Sequence, residues 1–512
     1  MSDPTNPGPG RPQYQYGTPQ QQPSYGRAPS SYGAPVGPPA WTPQQQPAVP
    51  PPARRRPVVP IVAGVAALAL VGAGVVFLPR LLGGAAAGAQ PSVVVPASAV
   101  AYMSVDLNPT LGQKAGAAQF LNKFPAFRGQ LTDASDLRKV VFEQLQASEP
   151  GLFTEFDYDA DVKPWLGDRF AVAAVPGAGE RAVAAVVLAV TDEAKAAAAL
   201  DRLAPSSSDT ECAVADRFAV CGERGTLAQA TASDQAHSLD AQPTFTGDLA
   251  AVGGDAIGTV WADVGAAARL VPEGSGVPDA SAVTGRLAGK LRFDGATALE
   301  FAGVTRGASG AAEAGVAPGT AIGALGADTV VAVSVNGLGA QVLAAWPEVV
   351  RQAGSGSIAQ AESALGLSLP DDLVSALGDH TSIAFGGMGL AGLPKVALVS
   401  DGDRSAADTV AGRSGGFLVV STTDDTTVLA TAGYAGAVIA GGLGDLPAFR
   451  AAVPRADSAD AVTYVDVPGV LTAAAAAGVI EGRENLDVLQ AVGLSATQRG
   501  DEGTFTLRAT TK

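Results

Sequence analysis

Histidine and cysteine are almost missing from this chain, two of each in 512 residues. His237 and His380 have no metal-ligand spacing with each other or with the cysteines, which argues against zinc. Aromatics make up only 5%, and four of the eight tyrosines (Tyr14, Tyr16, Tyr25, Tyr32) fall in the first 32 residues. Any core must therefore be built mainly from Val, Leu and Ala, and large stacking platforms for ligands are not expected. Basic residues are scarce too, 33 against 49 acidic, and they are unevenly spread. Through Arg80 there are six basic residues and one acidic, which leaves 27 against 48 in the remainder. That balance disfavours a nucleic-acid or anionic-polymer partner.

What is present begins with Val58 to Leu78, about twenty uncharged and mostly apolar residues directly after Arg54, Arg55 and Arg56. A run of this length can cross a bilayer as one helix, and the arginines would hold its N-terminal side in the cytoplasm. The small residues at Ala85-Ala86-Ala87 also suit a signal-peptide cleavage site. However, the apolar core is longer than an h-region and the preceding segment too long for an n-region, which favours an uncleaved signal anchor. Residues 1–56 are rich in Pro, Gln, Gly, Ser and Tyr and too poor in aliphatics to offset the entropy of ordering, so a disordered cytoplasmic tail is expected. A transmembrane helix over 57–82 and a Gly/Ala linker over 83–90 follow. This places the protein in the plasma membrane with its C-terminal part outside the cell.

Cys212 and Cys221 flank a hairpin pattern. A two-residue turn at Asp216-Arg217 would pair 215 with 218 and therefore 212 with 221. That is a non-hydrogen-bonded pair, where Cα atoms approach most closely. An extracytoplasmic disulfide is expected.

The remaining sequence repeats its own order of elements. Ala97 to Val105 is answered by Ala327 to Val335, and Trp165-Leu166-Gly167-Asp168-Arg169 by Ala376-Leu377-Gly378-Asp379-His380. In each half a second strand (Ala182 to Val190; Lys395 to Ser400) leads to an Ala-rich helix (Asp192 to Leu203; Arg404 to Arg413) and a hairpin. Each half then has a strand ending in aromatic and acid and closes on a strand pair. The expected fold class is α+β, with two tandem repeats at 91–310 and 318–512. Hairpins outnumber crossovers, so the sheets should be largely antiparallel with helices on one face.

These segments resemble a bacterial membrane-anchored family, the domain of unknown function numbered 3352. The resemblance rests on Val100-Ala101-Tyr102-Met103-Ser104-Val105-Asp106-Leu107-Asn108-Pro109, Gly112-Gln113-Lys114, Lys123-Phe124-Pro125-Ala126-Phe127 and Val162-Lys163-Pro164-Trp165-Leu166-Gly167-Asp168-Arg169. It runs over most of 92–512 and is strongest in the first half. It implies a tail, one span and an extracytoplasmic domain, and no known activity.

No coherent catalytic set is found, and no cofactor or metal site is expected. Gly412-Arg413-Ser414-Gly415-Gly416 fits a nucleophile elbow, but no histidine follows Ser414 and a helix precedes it. Gly387 to Gly392 fits GxGxxG but leads into a strand, so it reads as a hairpin loop. Trp165, Asp168 and Arg169 form the candidate ligand surface, against a structural reading as a turn at Gly167 with Asp168 bonding local backbone. Asp106, Asp263 and Asp466 read first as helix caps. The leading expectation is a non-enzymatic binding or scaffold domain in the cell envelope, with an envelope protein or apolar ligand as partner. The alternatives are a carrier or sensor of a lipid or other apolar ligand, and a carboxylate-dependent envelope hydrolase.

Overall fold

In a computed structural model of the chain, described residues run from 89 to 512, apart from 126, 129–135, 137, 140–141, 143–156, 178–180, 204–208, 271–282, 309–318, 390–391, 424 and 477–484. The expected tail, the apolar segment with Arg54 to Arg56, and most of the linker lie outside the described residues. Among the described residues no helix is long and apolar enough to cross a membrane.

The strands are β1 (Ala101–Asp106), β2 (Leu166–Pro176), β3 (Ala182–Val190), β4 (Thr210–Ala215), β5 (Phe218–Glu223), β6 (Gly258–Asp263), β7 (Arg286–Asp294) and β8 (Ala298–Arg306). The second half supplies β9 (Val331–Asn336), β10 (His380–Met388), β11 (Pro394–Ser400), β12 (Leu418–Thr423), β13 (Thr426–Thr431), β14 (Ala461–Asp466), β15 (Leu489–Arg499) and β16 (Glu502–Thr511). All sixteen join one sheet, in the order β12-β13-β11-β10-β9-β14-β15-β16-β8-β7-β6-β1-β2-β3-β5-β4, and every pairing is antiparallel. Read inward from either end, the two sets of eight strands have the same order and meet where β8 pairs with β16.

The helices are α1 (Leu111–Leu121), α2 (Glu193–Leu203), α3 (Leu227–Ala230), α4 (Pro243–Val252), α5 (Val264–Arg269), α6 (Leu338–Ala353), α7 (Ser355–Leu365), α8 (Asp371–Leu377), α9 (Arg404–Arg413), α10 (Ala435–Val438), α11 (Pro447–Ala452) and α12 (Val467–Ala476). The alanine run in α2 favours helix intrinsically, and Asp192 starts it by accepting the Lys195 N–H at 3.1 Å. Asp263 caps α5 through the Ala266 N–H at 2.7 Å, as its position suggested, and Asp466 accepts the Gly469 N–H at the start of α12.

The expectation of helices on one face is corrected. Phe245 of α4 and Ala230 of α3 pack with Ala171, Ala173, Ala185 and Val187 on one face. Ala196, Ala199 and Leu200 of α2 pack with Val190, Ala219 and the cysteines on the other, where α1 also lays Ala117 and Phe120 against Phe293 and Leu299. β3 shows both contacts: Val183, Ala185 and Val187 bury on the first face, while Val190 at its C-terminal end, with the partly buried Leu188, is covered on the other. In the second half Phe449 of α11 and Tyr434 join Ala332, Ala384, Val428 and Tyr464 in the larger core.

Candidate functional site

The hairpin β4–β5 has the expected register, with Cys212 opposite Cys221 and Ala215 opposite Phe218. Asp216 (φ 52°) and Arg217 (φ 65°) are both left-handed, as a type I′ turn requires. The cysteine sulfurs lie 2.08 Å apart, at disulfide distance, with Cα atoms 4.1 Å apart.

This turn forms one wall of a cleft of about 180 Å³, whose other walls are Ala89, Asn108, Gly167 to Arg169 and Ala189 to Thr191. The opposite wall is a bulge. Leu166 pairs with Val190 and Phe170 with Leu188, so Gly167, Asp168 and Arg169 together face the single residue Ala189. Bulges of this sort bend a strand and redirect its side chains. Gly167 permits it, because a Cβ there would sit 2.8 Å from the Ala189 Cβ.

Two of the three residues of the candidate ligand surface therefore line the cleft. Arg169 is buried and committed: its Nε donates to Asp106 Oδ2 at 2.9 Å and its Nη1 to the Ala89 carbonyl at 3.2 Å. Asp168 accepts from Asn108 Nδ2 at 3.0 Å, and its other oxygen lies 3.7 Å from Arg138 Nε. It bonds a distant side chain rather than the local backbone N–H groups expected of a turn. Trp165 is corrected from surface anchor to core: it is 5% exposed, packed with Phe142, Tyr158 and Leu200, and its Nε1 donates to the Asp161 carbonyl. Asp106 is also corrected. Its carboxylate takes the Asn108 N–H and Arg169, while α1 begins beyond it after Thr110.

Beside the cleft, Asp136 binds Arg138 and the Tyr158 hydroxyl. Burial pushes the Asp136 carboxyl up, but these hydrogen bonds outweigh it and hold the group below its ordinary value. Burial, then the bond to Asp136, raises Tyr158. Two contributors were not singled out from sequence. Arg217 reads only as a turn residue, and Asn108 only as part of the strand end. The two-residue turn expected at Asp216-Arg217 was the one sequence signal that pointed to that wall.

The corresponding place in the second half is built differently. His380 stands opposite Asn336, as Arg169 stands opposite Asp106, and its Nδ1 lies 2.9 Å from Asp401 Oδ2. Asp401 also accepts the Asp379 and His380 N–H groups. Burial raises the Asp401 carboxyl, but the bonds from His380 and Asp379 prevail and lower it. The adjacent hydroxyls of Thr381 and Ser400 donate to the Leu377 and Ala376 carbonyls. Among the described residues no three His, Cys, Asp or Glu side chains are grouped to hold a metal ion.

Fold and cleft together define an α+β protein with a small charged cleft toward one end of a single antiparallel sheet. Residues 59–217 match the model of a family described as Protein of unknown function (DUF3352), so the family resemblance holds over that segment, a shorter one than 92–512. The match contains every residue lining the cleft except Phe218. No curated protein and no solved structure matches the chain.

Proposed function

We propose that this chain is a single-pass protein of the plasma membrane whose extracytoplasmic part is a non-enzymatic binding module, made of two tandem repeats at 91–310 and 318–512. The observation that carries this reading is the cleft beside β2. Its walls come from five separate stretches of chain and hold polar groups with unused hydrogen-bonding capacity. The apolar run after Arg54 to Arg56 supports the anchor, and the shared strand order supports the repeats. Crosslinking in living cells with tagged full-length protein tests the reading. Reproducible capture of one envelope component, lost in Asp168→Asn and Arg217→Gly variants expressed at the normal level, is expected. Capture that survives both substitutions would remove the cleft from the function.

A second reading, a carrier or sensor of a lipid or other apolar ligand, has a separate observation in its favour. Met103, Val172 and Val186 are direct cross-strand neighbours on β1, β2 and β3 and remain 37–39% exposed. Native mass spectra of the purified protein with no co-purifying small molecule would count heavily against it. The hydrolase reading has its best candidates in Asp168 and Asp379, and unchanged behaviour of cells carrying their Ala variants would dispose of it.

A further inference from the structure

We propose that the cleft takes a small zwitterion, a ligand with a primary ammonium and an anionic group a few bonds apart. This rests on the binding-module reading and names its ligand class. The argument follows the hydrogen-bonding capacity left over on the walls.

The Asn108 side chain donates through Nδ2 to Asp168, while its Oδ1 is buried and has no hydrogen-bond partner. Flipping the amide would press two acceptor oxygens together, so the orientation is fixed and the free acceptor is real. Being closed to solvent, that oxygen is out of a ligand's reach, so the acceptors that face the cleft are the Asp168 and Asp216 carboxylates. The nearer cation to Asp168 Oδ1, Arg138 Nε, is 3.7 Å away and beyond hydrogen-bond length, so this oxygen can accept a further donor. A primary ammonium, with three N–H groups, can donate to Asp168 Oδ1 and the Asp216 carboxylate, whereas a quaternary ammonium offers them nothing.

On the hairpin wall the Arg217 guanidinium makes no hydrogen bond or ion pair among the described residues, and neither does the Thr191 hydroxyl. Both are donors suited to a carboxylate or phosphate, the guanidinium especially so. Arg169 adds no free charge, being paired with Asp106. Asp216 is the second acceptor on the lining, so two acceptor and two donor side chains face a ligand that carries both charges. The volume, about 180 Å³, is roughly ten times what admits one water, enough for an amino-acid-sized group and far too little for a folded partner.

Such a group can be free in solution or the headgroup of an ethanolamine phospholipid. Seven Cα steps separate Leu82, the end of the apolar segment, from Ala89 on the cleft wall, a reach of at most about 25 Å.

The test is calorimetric titration of full-length protein in detergent micelles with glycine, β-alanine and O-phosphoethanolamine, using ethylamine and acetate as single-charge controls. Nanodiscs of ethanolamine or choline phospholipid, read by Arg217-dependent changes in NMR spectra, form the second arm. At least one zwitterion should bind tenfold or more tighter than either control. Asp168→Asn, which keeps the bond from Asn108, and Arg217→Gly, which suits the turn, should each weaken it about tenfold. A response to free zwitterions identifies a soluble ligand, and a response only to ethanolamine nanodiscs identifies the headgroup; either supports the class. Ethylamine binding as tightly as the zwitterions, with Arg217→Gly silent, would overturn the class and leave the cleft as a binding site. No binding in either arm would overturn both.

Discussion

Arg217 occupies a conformation that suits glycine. At φ 65° an L side chain crowds the following carbonyl, at a cost of about 1–2 kcal/mol that glycine escapes. Arg217→Gly creates Asp-Gly, a preferred type I′ pair, and should raise stability by about 1 kcal/mol, read as a higher Tm. A lower Tm would mean that the guanidinium contributes to folding instead of waiting for a ligand. Tyrosines give a second prediction at this scale. Burial pushes Tyr102 and Tyr464 up to about 12, against about 10 in an unfolded chain. Between pH 10 and 12 the unfolded state releases these protons first, so stability is full below pH 10 and falls toward pH 12. Tyr158 and Tyr434 are raised as well, so alkaline titration followed at the phenolate band should show four late tyrosines ionising together with unfolding; ionisation of these four without unfolding would contradict this. Trp165 shows where residue-level reading failed. Its neighbours Pro164, Asp168 and Arg169 are polar or turn-forming, and only the packing of α2, Phe142 and Tyr158 over it makes it core.

Elements were more legible than sites, because periodicity is local. The ends of β3 and α9 fall where the apolar run and the alanine-rich stretch place them, and the hairpin register followed from counting outward from Asp216-Arg217. The bulge at Gly167 to Arg169 was not legible, since it depends on what Ala189 leaves room for on a neighbouring strand. The cysteine pair closes a short loop, sequence separation 9, at one end of the sheet. By loop-closure entropy a link over so short a loop is worth about 2–3 kcal/mol. Reduction should lower stability by that amount in chemical denaturation and should also loosen the cleft wall formed by Asp216 and Arg217. If reduction leaves both stability and ligand titration unchanged, the link is idle in the folded state.

Across the whole molecule the question is whether the two eight-strand sets stand or fall together. The β8–β16 junction holds nine cross-strand pairs, Ala298 with Thr510 through Arg306 with Glu502, as many as β7–β8 within the first half. Strand pairing alone therefore offers no weak seam. Within it Glu300, 7% exposed, accepts from Arg292 on β7 and from Arg508 on β16 at 2.5 Å, and Arg508 also meets Asp294. Phe301 and Leu507 close the opposite face. A glutamate in the middle of the apolar strand Ala-Leu-Glu-Phe-Ala-Gly-Val-Thr-Arg needs a buried cation. The sequence thus posed the junction without naming Arg508, which lies some two hundred residues away. Glu300→Ala would leave two arginines without their shared partner, and breaking a buried pair from one side costs about 3–5 kcal/mol. Calorimetry of the full-length protein should show one transition for the sixteen-stranded sheet, displaced downward as a whole in Glu300→Ala. Two transitions in the unmodified protein, one of them untouched by the substitution, would mean that the halves are independent domains that merely share an edge.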